Sequence, residues 1–315
     1  MRPALQSIMK KVTRWLVLWP LFFLPKEKKI GIERWLRGRE QFQKLRKADC
    51  VIVSFGKSGR TWLRVMLSRF YQVKYGLSAR HLIGFDNLHY KNRAIPKIFF
   101  THDNYLKDYT GHTDSKVDYY DKKVVLLVRN PADVAVSQYH QWKHRMKPHK
   151  KELNWYPDEN EDVSIFDFVI QPDAGLPKVI DFMNGWADEL ERIESLLIVR
   201  YEDLRAQPEA TLGRILDFME TPGTADQIHE AVEFSSVENM RKMEEKKTFW
   251  LSGGRMVPKD RSNPESYKVR RAKVGGYRDY FSAEEIAKVD ADIRQTLSPA
   301  FGYLDSGQEV RAASA

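Results

Sequence analysis

A glycine-rich turn between an apolar run and a helical stretch is the first candidate for chemistry in this chain. The turn reads Ser54-Phe-Gly-Lys-Ser-Gly-Arg-Thr-Trp62. Its glycines allow backbone N–H groups to face an anion, and the N-terminus of the following helix adds positive potential. Further donors are the side chains of Lys57, Ser58, Arg60 and Thr61. The pattern predicts a phosphate-binding turn, although an ordinary strand-to-helix turn has the same outline.

The turn is not a Walker A motif. That motif needs four residues between its first glycine and Gly-Lys, with Ser or Thr after the lysine, whereas Lys57 precedes the second glycine here. No magnesium-binding aspartate ends the other apolar runs, which finish in Thr101-His102, Arg129-Asn130 and Arg200-Tyr201. The spacing therefore argues against a P-loop kinase or NTPase, which stays an alternative.

A second candidate anion site follows the third apolar run. Arg129 stands at the carboxyl end of that run, and Ser137 lies two turns into the helix predicted after it. If both side chains reach one anionic group, the two sites together suit a doubly phosphorylated nucleotide. The alternative is that Arg129 only caps the helix or pairs with Asp133.

Four short apolar runs predict the strands that must position these residues. The runs are Cys50–Phe55, Lys97–Phe100, Lys123–Val128 and Leu196–Val199. Continuous aliphatic runs without alternation favour a parallel sheet that is covered on both faces. Helices are predicted at Thr61–Tyr75, Ala132–His144 and Pro208–Met219. Strand followed by helix, repeated, indicates an α/β fold with an open parallel sheet, in which ligands bind beyond the carboxyl ends of the strands.

Composition excludes several classes of protein. The chain has 315 residues, 42% of them hydrophobic, which is enough for a buried core and excludes a disordered chain. Its one cysteine, Cys50, excludes an intrachain disulfide and a cysteine-ligated metal, and a single thiol suits a reducing compartment. The net charge of +9 arises within residues 1–49, so we expect no general affinity for nucleic acid.

The basic N-terminal segment predicts a surface helix. Its apolar run from Trp15 to Pro25 is shorter than the roughly 20 residues of a membrane-spanning helix, and no small-residue cleavage site follows it. Residues 1–30 are expected either to lie as an amphipathic helix on an anionic membrane surface or to pack on the domain. A second basic helix is predicted at residues 32–47. The protein is then expected in the cytoplasm, peripherally at the membrane if the first alternative holds.

The expected organisation is a single domain with two extensions. The predicted parts are a basic amphipathic segment over 1–48, the α/β domain over 49–305 and a flexible tail over 306–315. Two charged, proline-containing stretches, 145–162 and 246–267, are predicted to be loops.

Four segments of the chain resemble motifs of the nucleotide sulfotransferases, of the soluble, cytosolic type. The turn from Phe55 to Trp62 resembles the 5′-phosphosulfate loop of that family. Val128–Ser137 resembles its 3′-phosphate segment and keeps the Arg-to-Ser spacing of eight. Val199–Leu204 resembles its Tyr-Glu-Asp-Leu block, and Val269–Arg278 its late Arg-Lys-Gly-x-x-Gly block. Because the four segments come in the family's order, from about residue 50 to 305, the resemblance is specific.

The resemblance implies a P-loop-like fold that binds 3′-phosphoadenosine-5′-phosphosulfate as co-substrate, without a metal. By their places in the motifs, the residues that would hold the 5′-phosphosulfate are Lys57, Ser58, Gly59, Arg60 and Thr61, with Trp62 stacked on the adenine. Those that would hold the 3′-phosphate are Arg129, Ser137, Arg270 and Arg271, with Tyr201 near the adenine. His102 matches the family's general base, and Lys57 would stabilise the bridging oxygen. This predicts in-line transfer of a sulfuryl group to a hydroxyl or amine acceptor.

Some positions depart from the family's pattern. Phe100 stands where a lysine is common two residues before the base, and Arg60 replaces a common threonine. In the late block, Ala272 replaces a usual glycine and Gly276-Tyr277 replaces Asp-Trp. These departures keep open a further alternative, a catalytically inactive membrane-surface scaffold with the same fold. The identity of the hydroxyl-bearing acceptor and the oligomeric state also stay open.

Other polar and aromatic residues have structural interpretations. His140 and His144 have the i, i+4 spacing of zinc ligands, but no third ligand is positioned, so a solvated helix face is expected. Glu202 and Asp203 are adjacent at a predicted strand end, where they would point apart in structural roles. Residues that would line an acceptor pocket or else join the core are Trp155, Tyr156, Phe166 and Phe168.

Overall fold

The computed structural model describes residues 19–158, 161–249, 256–260 and 262–304. Its four strands are β1 (Cys50–Val53), β2 (Ile98–Thr101), β3 (Lys123–Val128) and β4 (Ser195–Arg200). They form one parallel sheet in the order β2-β1-β3-β4, with Val53 opposite both Thr101 and Leu126. The predicted open parallel sheet is confirmed, and the carboxyl ends of all four strands meet at one edge.

Helices follow or flank every strand. The α-helices of the described residues are α1 (Lys26–Leu45), α2 (Arg60–Lys74), α3 (Leu106–Thr110), α4 (Pro131–His144), α5 (Pro148–Leu153), α6 (Ile165–Ile170), α7 (Leu176–Ala187), α8 (Tyr201–Ala206), α9 (Pro208–Phe218), α10 (Ala225–Phe234), α11 (Val237–Glu245) and α12 (Ala283–Thr296). Short 3₁₀ turns lie at Trp19–Leu21, Val117–Tyr119, Leu190–Arg192, Pro264–Ser266, Gly276–Asp279 and Pro299–Phe301. None of the helices in these ranges is long and apolar enough to cross a membrane.

The sheet is apolar on both faces because helices cover both. Val51 and Val53 point to a core shared with α4, α7 and α12, whereas Ile52 between them points to a core shared with α2 and α9. Continuous aliphatic runs are therefore what this sheet requires.

The start of α4 is fixed by its own sequence. Pro131 occupies the first helical position, where its missing N–H costs nothing. The Asn130 side chain caps the helix by accepting hydrogen bonds from the amides of Ala132 (3.0 Å) and Asp133 (3.2 Å). This turn holds Arg129 at the end of β3.

Three local expectations were wrong. The stretch 145–162, predicted as a loop, contains α5, and the second basic helix begins six residues before Ile32. Glu202 and Asp203 lie in the first turn of α8 rather than on a strand end. The Glu202 carboxylate accepts hydrogen bonds from the Asn130 amide (2.9 Å) and the Tyr303 hydroxyl (2.7 Å), which is a structural role.

Helix α1 is docked on the domain. Arg34, only 3% exposed, donates two 2.9 Å hydrogen bonds to the Asp108 carboxylate and one to the Leu153 carbonyl. Gly38 permits the close approach, because a Cβ there would lie 2.2 Å from the Tyr105 carbonyl oxygen. Most of the amphipathic helix expected in residues 1–30, and the tail expected over 306–315, lie outside the described residues.

Candidate functional site

A cavity of about 1100 Å³ lies beyond the carboxyl ends of the strands. Residues that follow each of the four strands line it, including Lys57, His102, Arg129 and Tyr201. The topology therefore brings together side chains that are up to 144 residues apart in the chain, as expected for an open parallel sheet.

The glycine-rich turn has the conformation of an anion cradle. Lys57 and Gly59 both have positive φ angles, of 76° and 93°, and Gly59 is the N-cap residue of α2. The Tyr201 ring closes the turn from one side, since a Cβ on Gly59 would lie 2.5 Å from its Cδ2 atom. Within the described chain, no acceptor lies in hydrogen-bond contact with the amides of residues 57–59. These donors point to an anionic ligand.

Lys57 sits among other cations. Its pKa is lowered to about 7, first by burial of the ammonium group and then by the positive charges of Arg145, Arg270 and Arg129. The negative charge of Glu244 offsets only part of this lowering of the Lys57 pKa. A dianion bound in the turn would relieve the repulsion and raise the pKa of Lys57.

His102 is held as a neutral base. Its Nδ1 lies 2.7 Å from the Ser54 carbonyl oxygen, which can only accept, so Nδ1 carries the proton and donates. Nε2 is then the acceptor and lies 2.5 Å from a guanidinium nitrogen of Arg60. Burial, and next the charge of Arg60, lower the pKa of His102 well below its ordinary value. Nε2 is therefore unprotonated at neutral pH and can accept a proton.

Arg129 and Ser137 both line the cavity, next to the glycine-rich turn. The Arg129 guanidinium lies 4.4 Å above the Tyr201 ring and donates to the Lys57 carbonyl oxygen (3.3 Å). The Arg129 guanidinium also pairs with the Asp133 carboxylate at 3.4 Å. The pairing that was the alternative to anion binding is therefore present in the same side chain that lines the cavity. The buried Nε of Arg129 has no hydrogen-bond partner among the described residues, as expected for a group that awaits an anionic ligand.

The late block reaches over the cavity from the far end of the chain. Arg270 pairs with Glu265 (2.7 Å), whereas Arg271 is exposed and pairs with Asp279 (3.2 Å). Ala272 has a φ of 53°, which is the left-handed conformation that glycine usually takes. The replacement of glycine at this position therefore keeps the turn, at a cost in backbone strain of about 1 kcal/mol.

A buried carboxylate anchors that block. Glu244, fully buried, accepts hydrogen bonds from the amides of Lys268 (2.9 Å) and Val269 (3.3 Å). It also forms a 3.1 Å ion pair with Arg145. No local pattern in the sequence predicts this anchor, because Arg145 and Glu244 are 99 residues apart.

Two cationic side chains near His102 were not among the site residues predicted from the sequence. Arg64 lines the cavity with its guanidinium 3.7 Å from the centre of the Phe100 ring, so a cation lies next to the position where the family commonly has lysine. Lys268 also lines it, with its Nζ 3.5 Å from the Thr61 hydroxyl. A signal existed for Arg64, since residues four apart on a helix share a face and Arg60 was already singled out.

The remaining sequence-predicted residues divide between cavity and core. Gly59, Arg60, Thr61 and Trp62 line the cavity, and the Trp62 indole donates to the Ser235 carbonyl oxygen (2.8 Å). Ser58 is buried and does not line the cavity. Trp155 and Tyr156 line it, whereas Phe168 is fully buried in the core and Phe166 packs against the core.

The histidine pair belongs to the protein's own packing. His140 is buried, rather than on a solvated face as expected, with its Nδ1 2.7 Å from a Glu265 oxygen, and the ring of His144 stacks on it. Burial and the charge of Arg270 lower the pKa of His140 to about 3. In the described ranges, no group of three or more His, Cys, Asp or Glu side chains could hold a metal ion.

Comparison with known proteins identifies relatives across most of the chain. A family model described as "Sulfotransferase domain" matches residues 47–300. Cytosolic sulfotransferase 15 of Arabidopsis thaliana is 26% identical and covers 90% of this chain and 80% of its own length. Flavonol 3-sulfotransferase of Flaveria bidentis is 25% identical, and the match covers 84% of this chain and 88% of that protein.

Solved structures share the fold. A crystal structure of mouse sulfotransferase SULT7A1 complexed with PAP has a TM-score of 0.56 at 20% identity, covering 82% of this chain and 89% of that one. A crystal structure of retinol dehydratase in a complex with retinol and PAP has a TM-score of 0.53 at 18% identity, and the match covers 79% of this chain and 81% of that one.

Proposed function

The chain belongs to the sulfotransferase family, and from that membership we propose that it transfers a sulfuryl group from 3′-phosphoadenosine-5′-phosphosulfate to a hydroxyl or amine acceptor. The observation that carries the proposal is the neutral His102, whose basic nitrogen lines a cavity beside the cationic glycine-rich turn. A base next to two anion-binding positions is the arrangement that this transfer needs.

The donor nucleotide would be held by the two anion positions. Its 5′-phosphosulfate would be bound by Lys57, Ser58, Gly59, Arg60 and Thr61, with Trp62 and Tyr201 beside the adenine. The amides of residues 57–59, which lack acceptors in the described chain, support this assignment. Because the Ser58 side chain is buried away from the cavity, we propose that only its backbone contributes.

The 3′-phosphate would be bound by Arg129, Ser137, Arg270 and Arg271. Of these, Arg129 is the best supported, since its buried Nε is unsatisfied by the described protein groups. Arg271 is exposed, so it would close over the ligand from the rim of the cavity.

His102 and Lys57 would share the chemical step. The acceptor oxygen attacks the sulfur, the bond between sulfur and the bridging oxygen breaks, and Nε2 of His102 takes the hydroxyl proton. Lys57 donates to the bridging oxygen as negative charge develops there. Since Arg60 occupies Nε2 in the free protein, its guanidinium must shift toward the sulfuryl group when the acceptor binds.

The cations near His102 argue against an inactive scaffold. Phe100 removes one lysine, but Arg64 stacks on that phenylalanine. After burial and the charge of Arg60, the charges of Lys268 and Arg64 also lower the pKa of His102. Against the kinase alternative, Asp103, the acidic residue after β2, is paired with Lys116 (2.9 Å) and the Tyr119 hydroxyl (2.7 Å). We also propose a cytoplasmic location, because relatives are named cytosolic.

Thermal unfolding with nucleotides tests the proposal. We expect adenosine 3′,5′-bisphosphate at about 100 times its Kd to stabilise the protein by about 2.7 kcal/mol without magnesium. The gain should be smaller with 5′-AMP and with ATP-magnesium. The Arg129→Ala variant should lose most of the stabilisation by adenosine 3′,5′-bisphosphate. The Arg93→Ala variant should keep it, because Arg93 is exposed and lies outside the cavity. Stabilisation by ATP-magnesium alone would favour the kinase.

A further inference from the structure

An exposed apolar surface lies where the described chain begins. Phe22 and Phe23 are 80% and 69% exposed and contact each other edge to face, and Trp19 beside them is 66% exposed. Together with the exposed Lys28 we call these residues the N-terminal surface. Clustered exposed aromatic side chains of this size mark a binding surface rather than ordinary solvent-facing residues.

The charge around this surface selects an anionic bilayer as its partner. The whole net charge of the chain, +9, comes from residues 1–49, and lysines follow directly at positions 26, 28 and 29. Aromatic rings with lysines beside them are the combination that binds the interface of a membrane with anionic lipids. A neutral apolar protein partner would not need that charge.

The same helix connects the N-terminal surface to the cavity. Helix α1 begins at Lys26, whose ammonium pairs with Glu152 of α5 (3.1 Å), and two turns further on Arg34 lines the cavity. At a rise of 1.5 Å per residue, Lys28 and Arg34 are about 9 Å apart along the helix. Trp155, 57% exposed and stacked 4.1 Å from the Arg34 guanidinium, lies at the cavity as well.

The wall of the cavity on this side is polar. The Tyr105 hydroxyl donates to the Asn154 side chain (3.0 Å), and Lys178 donates to the Asn154 carbonyl oxygen (2.7 Å). Lys150 lines the same wall. These polar groups suit a hydroxyl-bearing head group, and the aromatic rings of Trp155 and Tyr156 lie beside them.

We propose that an anionic bilayer docks on the N-terminal surface and brings the α1 side of the cavity to the membrane, where the acceptor is an amphiphile that presents its hydroxyl head group from the lipid. The docking stands independently of catalysis, whereas the acceptor class rests on the proposed sulfotransfer. The polar head enters the cavity on the side formed by α1 and α5, and the apolar part of the acceptor stays in the bilayer.

Vesicle co-sedimentation of the full chain tests the docking. Vesicles of phosphatidylcholine with 30% phosphatidylserine, about the composition of an anionic leaflet, are compared with pure phosphatidylcholine. Phe22→Ser with Lys28→Ser should weaken binding to the anionic vesicles by about tenfold or more. The matched control, Tyr90→Ser with Lys91→Ser, removes an exposed aromatic residue and an exposed lysine elsewhere and should bind like wild type. Absence of binding by wild type, or equal losses in both variants, would overturn the proposal.

A fluorescent probe tests which side of the protein meets the bilayer. Because Cys50 is buried, a cysteine introduced at exposed Asp158, near Trp155, can be labelled selectively with an environment-sensitive dye. On addition of the anionic vesicles, emission from position 158 should shift to shorter wavelength, and emission from a Tyr90→Cys control should not. A shift at position 90 alone, or at neither position while the protein binds, contradicts the proposed orientation. Neither experiment depends on nucleotide binding, so failure of the donor-site assay leaves them interpretable.

Discussion

The Nε2 atom of His102 lies 2.5 Å from a guanidinium nitrogen of Arg60, while the Nδ1 atom of the same ring lies 2.7 Å from the Ser54 carbonyl oxygen. Burial, and next the first contact, lower the pKa of His102 and so keep the imidazole neutral, and the second contact fixes which nitrogen is basic. His102, which the family resemblance predicts to be the general base, thus has a neutral ring whose basic nitrogen is Nε2.

The pH profile of kcat/KM should reflect this pair of groups. Because the pKa of His102 is far below 6.5, the base is already neutral at pH 6 and should impose no loss of activity there. Lys57, whose pKa in the free protein is about 7, must be charged, so kcat/KM should fall as pH rises through about 7. In kcat the fall should move to higher pH, since the bound anion raises the pKa of Lys57.

Lys57→Arg provides the control for this profile. An arginine stays charged, so the alkaline fall in kcat/KM should disappear even if the rate itself drops. A profile of the wild type that instead rises between pH 6 and 7.5 would indicate an ordinary histidine and contradict the assignment.

Arg64 should contribute to catalysis although it was not among the sequence-predicted residues. Arg64→Met removes the guanidinium that stacks on Phe100, and we expect kcat to fall by about tenfold or more. The pKa of His102, followed by NMR, should rise at the same time because a nearby positive charge is lost. Arg69→Met is the matched control: Arg69 lies on the same helix, pairs with Glu230 and stacks on Phe234. Equal losses in the two variants would reduce Arg64 to a structural role.

Gly59 should be irreplaceable because of a contact, in addition to its conformation. Gly59→Ala places a Cβ 2.5 Å from the Tyr201 ring at a φ of 93°, so binding of adenosine 3′,5′-bisphosphate should fall by at least about tenfold. Gly76→Ala is the control, since Gly76 also has a positive φ but a Cβ there meets nothing within 4 Å. That variant should lose about 1 kcal/mol of stability and keep its nucleotide affinity. The measurement is isothermal titration calorimetry alongside denaturant unfolding.

The sequence predicted what depends on local pattern and missed what depends on distant packing. Strand β3 was predicted to the residue, because a strand covered on both faces is aliphatic throughout. Helix α5 was not predicted, since its charged hexapeptide, which starts at Pro148, has no apolar stripe and becomes helical by packing on α1. In the site, the family resemblance predicted roles for His102 and Lys57, but the contact between Arg64 and Phe100 depends on the placement of α2 against β2. No spacing rule gives that placement.

The anchor of the late block provides the last prediction. Glu244→Gln leaves Arg145 as a buried charge without its carboxylate and weakens the acceptor of the Lys268 and Val269 amides. We expect a loss of about 3 kcal/mol in the free energy of unfolding, and about tenfold weaker binding of adenosine 3′,5′-bisphosphate because Arg270 is carried by this block. Glu238→Gln, which breaks an exposed pair with Lys242 on the same helix, should cost at most about 0.5 kcal/mol and leave affinity unchanged.

Arg145→Met combined with Glu244→Met separates stability from binding. Replacing a buried ion pair by apolar side chains of similar volume can recover stability, yet the amides of Lys268 and Val269 still lack their acceptor. The double variant should therefore recover part of the stability that Glu244→Gln loses, while its nucleotide affinity stays low. If affinity recovered together with stability, Glu244 would act only through the fold, and the late block would not need its anchor to close over the nucleotide.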